Sequence, residues 1–125
     1  KFAVVGISES LFHELTMRGS QVGVSALCPG FVKTRIFESQ RNMPSDLRSY
    51  NESPDAKALN DLGSAAVNAG IDADIVADAV ADAVLTKKFW ILTHMKAAIR
   101  TTEQRLEWMK GSGPTTINLD GATQP

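Results

Sequence analysis

The chain has one cysteine, almost no net charge and no long hydrophobic run. With Cys28 alone, no disulfide can form within the chain, and its place at the end of an apolar segment suits a small buried thiol in a reducing compartment. A formal net charge of −1 gives no electrostatic basis for binding nucleic acid or an anionic membrane. There is no run of about 18 uncharged apolar residues and no signal-peptide pattern. We therefore expect a cytoplasmic protein.

Residue clusters for metal or hydrolytic chemistry are also missing from the sequence. No His, Cys and Asp residues stand at the spacing of metal ligands, so we expect no metal site. Ser8 and Ser10 have no base partner for a hydrolase triad. His13 fits a surface position on a helix, while His94 gives little reason for a catalytic assignment and none for metal binding.

The spacing of the apolar residues predicts helices and short strands. Apolar residues recur at steps of three and four from Phe2 to about Arg18, which predicts a helix that ends at Gly19. The β-branched segment Val22–Leu27 predicts a strand covered on both faces, as in a parallel sheet. Three further elements are predicted in order: a helix over 72–88, a strand over 89–92 and a helix over about 96–110.

The middle and the end of the chain have a different composition. Residues 37–70 are polar and contain two prolines and two glycines, which predicts a substrate loop or lid with short helical turns around 45–50 and 54–68. From about residue 111 the composition predicts a flexible tail. The chain opens in a helical pattern without a capping residue, and two short strands cannot form a stable parallel sheet alone. We expect the carboxyl-terminal part of a larger α/β protein.

The most informative segment is Val22–Ile36, VGVSALCPGFVKTRI. It predicts a strand that stops at Pro29-Gly30 and leads to the hydroxyl of Thr34. Ligands of open α/β sheets bind beyond the carboxyl ends of the strands, so this segment predicts one wall of a ligand site. An ordinary strand-ending turn, with Thr34 capping a short helix, explains the same residues.

Lys1 opening the segment KFAVVGISESL, followed by VGVSALCPGFVKT, resembles the short-chain dehydrogenase/reductase family. In that family a Tyr-x-x-x-Lys motif lies at the start of the same helix, and the next strand ends in Pro-Gly. The Asp72 helix and the FWIL strand are similar to the family's last two elements, so the resemblance covers residues 1–93. It implies an α/β fold: the carboxyl-terminal part of a Rossmann-type doubly wound parallel sheet, incomplete as given. Residues 1–125 would then be part of a single NAD(P)-binding domain.

The resemblance implies a role for each matching residue. Lys1 would bind the nicotinamide ribose and lower the pKa of a neighbouring tyrosine, the alternative being a solvated surface lysine. Pro29 and Gly30 would let the backbone run close to the nicotinamide. Val32 would offer its backbone groups to the carboxamide. Thr34 would offer its hydroxyl to the carboxamide or the pyrophosphate.

The implied function is an oxidoreductase that transfers a hydride between NAD or NADP and an alcohol, ketone or aldehyde substrate. The implied assembly is a dimer or tetramer of identical subunits. The family's glycine-rich motif, tyrosine and serine are not in this chain, and Tyr50 lies in the loop, so we expect the 125-residue fragment alone to be inactive. A non-catalytic α/β binding or subunit-interaction module is the alternative, with the helix from Phe2 to Arg18 as a subunit contact.

Overall fold

The computed structural model describes residues 1–47 and 53–114. Most of this part of the chain forms helices and a parallel pair of short strands: α1 (Phe2–Met17), β1 (Ala26–Cys28), α2 (Pro54–Asn68), α3 (Ala73–Thr86), β2 (Trp90–Leu92) and α4 (Met95–Glu107). Two short 3-10 helices, Ile36–Asn42 and Ser45–Leu47, precede α2, and a π-helical turn, Trp108–Ser112, follows α4. The predicted α/β fold with a parallel sheet is confirmed. Tyr50 and most of the predicted tail lie outside the described residues.

The two strands pair in parallel, with Leu27 opposite Ile91 in the middle of the register. The predicted strand had wrong bounds, since β1 begins at Ala26 and ends at Cys28. Residues 22–24 have no strand partner in the part of the chain described, which is why they are not part of β1. At the other end, the ladder stops before Pro29, because proline has no N–H to donate.

Helix α1 spans Phe2–Met17, within a residue of the prediction. Gly19 ends it with a positive φ of 63°, a conformation that costs a residue without a β-carbon little. The N–H of Gly19 donates to the carbonyl of Thr16, and the N–H of Ser20 donates to the carbonyl of Leu15, each at 3.0 Å. These two bonds satisfy carbonyls at the helix end, as the predicted C-terminal glycine requires.

The core of the described residues is small. Its buried apolar side chains are Ala26, Val67, Ile71, Ala83 and Ile91. The described residues leave Leu27 of β1 43% exposed. Its side chain lies along an open cavity of about 540 Å³ between the sheet and α3.

The polar region 37–70 contains more helix than the composition predicted. The helical turns predicted around 54–68 are present as the 15-residue helix α2, whose N-terminus is capped by the hydroxyl of Ser53 accepting the N–H of Ala56 at 3.2 Å. Pro54 stands in the first turn, where a missing N–H costs nothing. The turn predicted around 45–50 is present as the 3-10 helix Ser45–Leu47, and residues 48–50 lie outside the described residues.

Helix α3 begins as predicted but ends earlier. Asp72 occupies the N-cap position with an extended backbone, although its side chain makes no capping bond. The helix ends at Thr86 because Lys87 adopts the left-handed conformation, with φ 54° and ψ 35°. None of the helices in residues 1–47 and 53–114 is long and apolar enough to cross a membrane.

Candidate functional site

The carboxyl ends of the two parallel strands lie side by side, because the register pairs both strands to their last residue. Pro29 and Gly30 follow β1 directly, and Thr93 and His94 follow β2. The N–H of Gly30 donates to Oγ1 of Thr93 at 3.2 Å. The turn after β1 is therefore tied to the residue that follows the neighbouring strand.

Val32 lies in a single parallel bridge to Ile71. Ile71 makes both bonds of this bridge with the neighbours of Val32: its N–H donates to the carbonyl of Phe31 at 3.1 Å, and its carbonyl accepts the N–H of Lys33 at 2.9 Å. In a parallel ladder the residue between two such partners directs its own N–H and C=O to the opposite side. Neither of these two Val32 groups is bonded to another described residue. Val32 therefore presents one free donor and one free acceptor away from Ile71.

The backbone of Gly70 packs directly against this bridge. A β-carbon at Gly70 would lie 2.3 Å from the carbonyl oxygen of Phe31 and 3.0 Å from the nitrogen of Val32. Both are backbone atoms, so a side chain there would displace the segment itself rather than a flexible group. Only glycine allows this close approach, which fixes the distance between the two chain segments.

An ion pair joins the same two segments at the surface. Nζ of Lys33 donates to Oδ1 of Asp72 at 2.8 Å. The side chains are 50% and 65% exposed, so the pair is worth about 0–1 kcal/mol. The bond explains why Asp72 does not cap α3 with its carboxylate, and it contributes less to the position of the turn than the buried bridge does.

Helix α1 runs antiparallel to the strands. Phe12, in its third turn, contacts Phe89, the residue just before β2, with ring centroids 5.0 Å apart. Phe2, at the helix start, lines a cavity of about 590 Å³ together with Leu92 at the end of β2. Lys1 is therefore at the same edge of the sheet as the turn after β1. Its side chain is exposed, and its ammonium group has no partner among the described residues.

Thr34 is exposed, and no described group bonds its hydroxyl. The alternative in which it caps the next helix has no support, because that 3-10 helix begins at Ile36 without such a bond. The adjacent charges are paired: Nε of Arg35 donates to Oε2 of Glu38 at 2.7 Å. This hydrogen bond holds the pKa of Glu38 below its usual range and raises the pKa of Arg35.

His94, for which the sequence gave little reason for a catalytic assignment, is buried at this edge of the sheet. It is 4% exposed, and its Nδ1 lies 2.8 Å from Oγ1 of Thr93. Its Nε2 is buried without a hydrogen-bond partner among the described residues. An unsatisfied buried group costs about 1–3 kcal/mol. The sequence signal that could have identified this buried histidine was its position shortly after the FWIL strand.

Other chemistries find no support in the described residues. No group of three or more His, Cys, Asp or Glu side chains there could hold a metal ion. The hydroxyls of Ser8 and Ser10 donate to helix carbonyls four residues earlier, at 2.9 Å, rather than to a base. Cys28 is half-buried, so it is less enclosed than the sequence suggested.

The structure brings Pro29, Gly30 and Val32 into one turn, with Lys1 at the same edge and Thr34 just beyond. Sequence reasoning missed the segment around Ile71, which holds the turn from its other side. No local pattern marks that pairing, because the two segments are far apart in the chain.

Among solved structures, the chain is similar to a short-chain dehydrogenase/reductase from Burkholderia phymatum in complex with NAD. The similarity has a TM-score of 0.80 and 31% sequence identity, and it covers 94% of this chain. The fold is short-chain dehydrogenase/reductase-like. The chain spans 42% of the length of that structure's chain. No family model and no curated protein matches the sequence.

Proposed function

We propose that the complete protein is a short-chain dehydrogenase/reductase that transfers a hydride between NAD(H) or NADP(H) and an alcohol, aldehyde or ketone. The observation that carries this proposal is the free N–H and C=O of Val32, placed beside the turn at the carboxyl edge of the sheet. The similar structure was solved with NAD, which supports the same class of cofactor here.

The residues of the turn fit a nicotinamide. A carboxamide has one carbonyl acceptor and an NH2 donor, and Val32 offers one N–H donor and one carbonyl acceptor. Gly30 has no side chain to obstruct the ring, and Pro29 ends the strand so that the backbone turns there. The nicotinamide supplies the hydride chemistry, while the chain supplies its binding and orientation.

Lys1 and Thr34 complete the proposed half-site. Lys1 holds the ribose and lowers the pKa of a tyrosine outside this chain, because a nearby positive charge favours the ionised phenol. Thr34 offers its unpaired hydroxyl to the carboxamide or the pyrophosphate. A tyrosine near pKa 10 is a poor base at neutral pH, so this shift is what makes general acid–base catalysis effective.

The activity is assigned to the complete domain rather than to these 125 residues. The glycine-rich motif and the tyrosine that the resemblance implies are not in this chain, and the chain spans 42% of the similar structure. We propose that residues 1–125 alone are inactive. Cytoplasmic location is part of the same proposal, since the single thiol suits a reducing compartment.

Nicotinamide fluorescence of the complete protein tests the proposal, with NADH and NADPH titrated separately. Gly30→Val places a branched side chain where the nicotinamide would lie, and we expect a loss of affinity of tenfold or more, about 1.4 kcal/mol. Gly23→Val is the matched control, because a β-carbon at Gly23 would meet no heavy atom of the described residues within 4 Å. That variant should bind like the wild type.

Turnover is then measured across a panel of alcohols, aldehydes and ketones. Cofactor-dependent turnover that Gly30→Val lowers supports the proposal. Binding without any turnover would favour the non-catalytic α/β module instead. Equal affinity of Gly30→Val and Gly23→Val would show that the turn does not face the cofactor.

A homo-oligomer is the proposed assembly. The outer face of α1 carries large apolar side chains that the described residues leave uncovered: Val4 is 68%, Ile7 69% and Leu11 44% exposed. A continuous apolar stripe of this kind marks an interaction surface. Ile7→Lys should shift the complete protein to a smaller species in light scattering.

A further inference from the structure

The two residues after β2 form a hydrogen-bonded chain with the turn after β1. Oγ1 of Thr93 accepts the N–H of Gly30 at 3.2 Å and lies 2.8 Å from Nδ1 of His94. His94 is 4% exposed, so the far end of the chain is a buried imidazole. One hydroxyl thus connects that imidazole to the residue proposed to face the nicotinamide.

The donor present fixes the direction of the bond between Gly30 and Thr93, and the tautomer of His94 sets the direction of the bond between Thr93 and His94. A hydroxyl has one proton and two lone pairs, and the N–H of Gly30 can only donate, so it takes one lone pair of Thr93. The proton of Thr93 then has Nδ1 of His94 as its only acceptor within residues 1–47 and 53–114. In the arrangement proposed below, that hydroxyl donates to Nδ1, which is then the unprotonated nitrogen, and the ring proton stands on Nε2, which has no partner among the described residues.

We propose that Thr93 and His94 are a positioning pair for the turn at Gly30. His94 fixes the orientation of the Thr93 hydroxyl, and that hydroxyl fixes the backbone of Gly30. The consequence for cofactor binding rests on the proposed function, whereas the hydrogen-bonded chain itself does not. Neither residue touches the cofactor, so both act through Gly30.

A matched pair of variants at Thr93 tests the effect on binding in the complete protein. Thr93→Val keeps the shape and removes the acceptor for Gly30, and Thr93→Ser keeps the hydroxyl. We expect Thr93→Val to weaken NADH affinity and raise the KM for cofactor about three- to tenfold, as the loss of one hydrogen bond implies, with kcat within about twofold. Thr93→Ser should bind within about twofold of the wild type.

Nitrogen-15 NMR of the imidazole tests the chain without any cofactor. The expected spectrum shows His94 with its proton on Nε2 and an unprotonated Nδ1. The backbone amide resonance of Gly30 should move in Thr93→Val and stay near its wild-type position in Thr93→Ser. His94→Asn, which can keep an acceptor in the place of Nδ1, should preserve that resonance, and His94→Leu should not.

Failure of the proposed function and failure of the positioning pair give different results. If the wild type binds neither NADH nor NADPH, the proposed function is wrong, and the tautomer and the Gly30 resonance still decide the positioning pair. A proton on Nδ1, or equal NADH affinity of Thr93→Val and Thr93→Ser in a protein that binds NADH, overturns the pair. If Thr93→Val does not fold, the comparison of His94→Asn with His94→Leu replaces it in both measurements.

Discussion

Gly70→Ala is the substitution for which the structure predicts the largest local effect. The new β-carbon would lie 2.3 Å from the carbonyl oxygen of Phe31 and 2.5 Å from its carbonyl carbon. Ordinary contacts begin near 3.4 Å, so the two segments must separate by about 1 Å. Both atoms are backbone, so no side-chain rotation relieves the clash.

The separation acts on the bridge beside it. Ile71 donates to Phe31 at 3.1 Å and accepts from Lys33 at 2.9 Å, and a shift of about 1 Å breaks both bonds. Two bonds at about 0.5–1.5 kcal/mol each give a loss of about 1–3 kcal/mol in the free energy of unfolding. Val32 moves with its neighbours, so NADH affinity should fall by about tenfold or more.

Urea denaturation and NADH titration of the complete protein measure the two effects. Gly63→Ala is the informative control, since the atoms nearest its β-carbon would be those at the far end of the Phe37 ring, and a ring can move aside. Gly23→Ala meets nothing within 4 Å and sets the baseline. The reasoning is refuted if Gly70→Ala is as stable as Gly23→Ala and binds NADH equally well.

Three further predictions concern charged groups. Lys1→Met should raise the pKa of the proposed tyrosine and move the pH profile of alcohol oxidation to higher pH, while Lys1→Arg should keep the wild-type profile. Identical pH profiles for Lys1→Met and the wild type would exclude Lys1 from that role. Asp72→Asn should lower stability by less than about 1 kcal/mol in urea denaturation, because its bond to Lys33 is exposed, and a larger loss would contradict this. The pKa of the Glu38 carboxyl, measured by carbon-13 NMR, should lie below its usual range and should return to that range in Arg35→Gln. Because the folded pKa is lowered, the ionised carboxylate stabilises the fold above the unfolded pKa, and this stabilisation disappears as the pH falls through the folded pKa.

Elements whose signals are local were predictable from the sequence. Helix α1 and its final glycine follow from an apolar period and a residue that tolerates positive φ, and the structure places both within one residue. The end of β1 followed from Pro29, whose effect on the ladder is also local. Helix α2 was underestimated, although Ser53-Pro54 is a strong start signal, because its polar surface resembled loop composition.

Features that depend on distant pairing were not predictable. The start of β1 is set by the pairing of Ala26 with Trp90, and this strand register cannot be inferred from amino-acid composition. The burial of His94 depends on the packing of both strand ends, so its sequence context gave only its position after a strand. The role of Gly70 is visible only through its contact with Phe31, which lies on a separate segment.

The turn after β1 is held from two independent sides. Thr93 holds Gly30 from the neighbouring strand end, and Ile71 holds the residues on either side of Val32. With both ties in place, the donor and acceptor of Val32 are fixed in direction before any ligand arrives. A ligand then loses less free energy to ordering the backbone, which is the physical advantage of a preorganised site. Loss of either tie should therefore weaken cofactor binding as well as lower the free energy of unfolding.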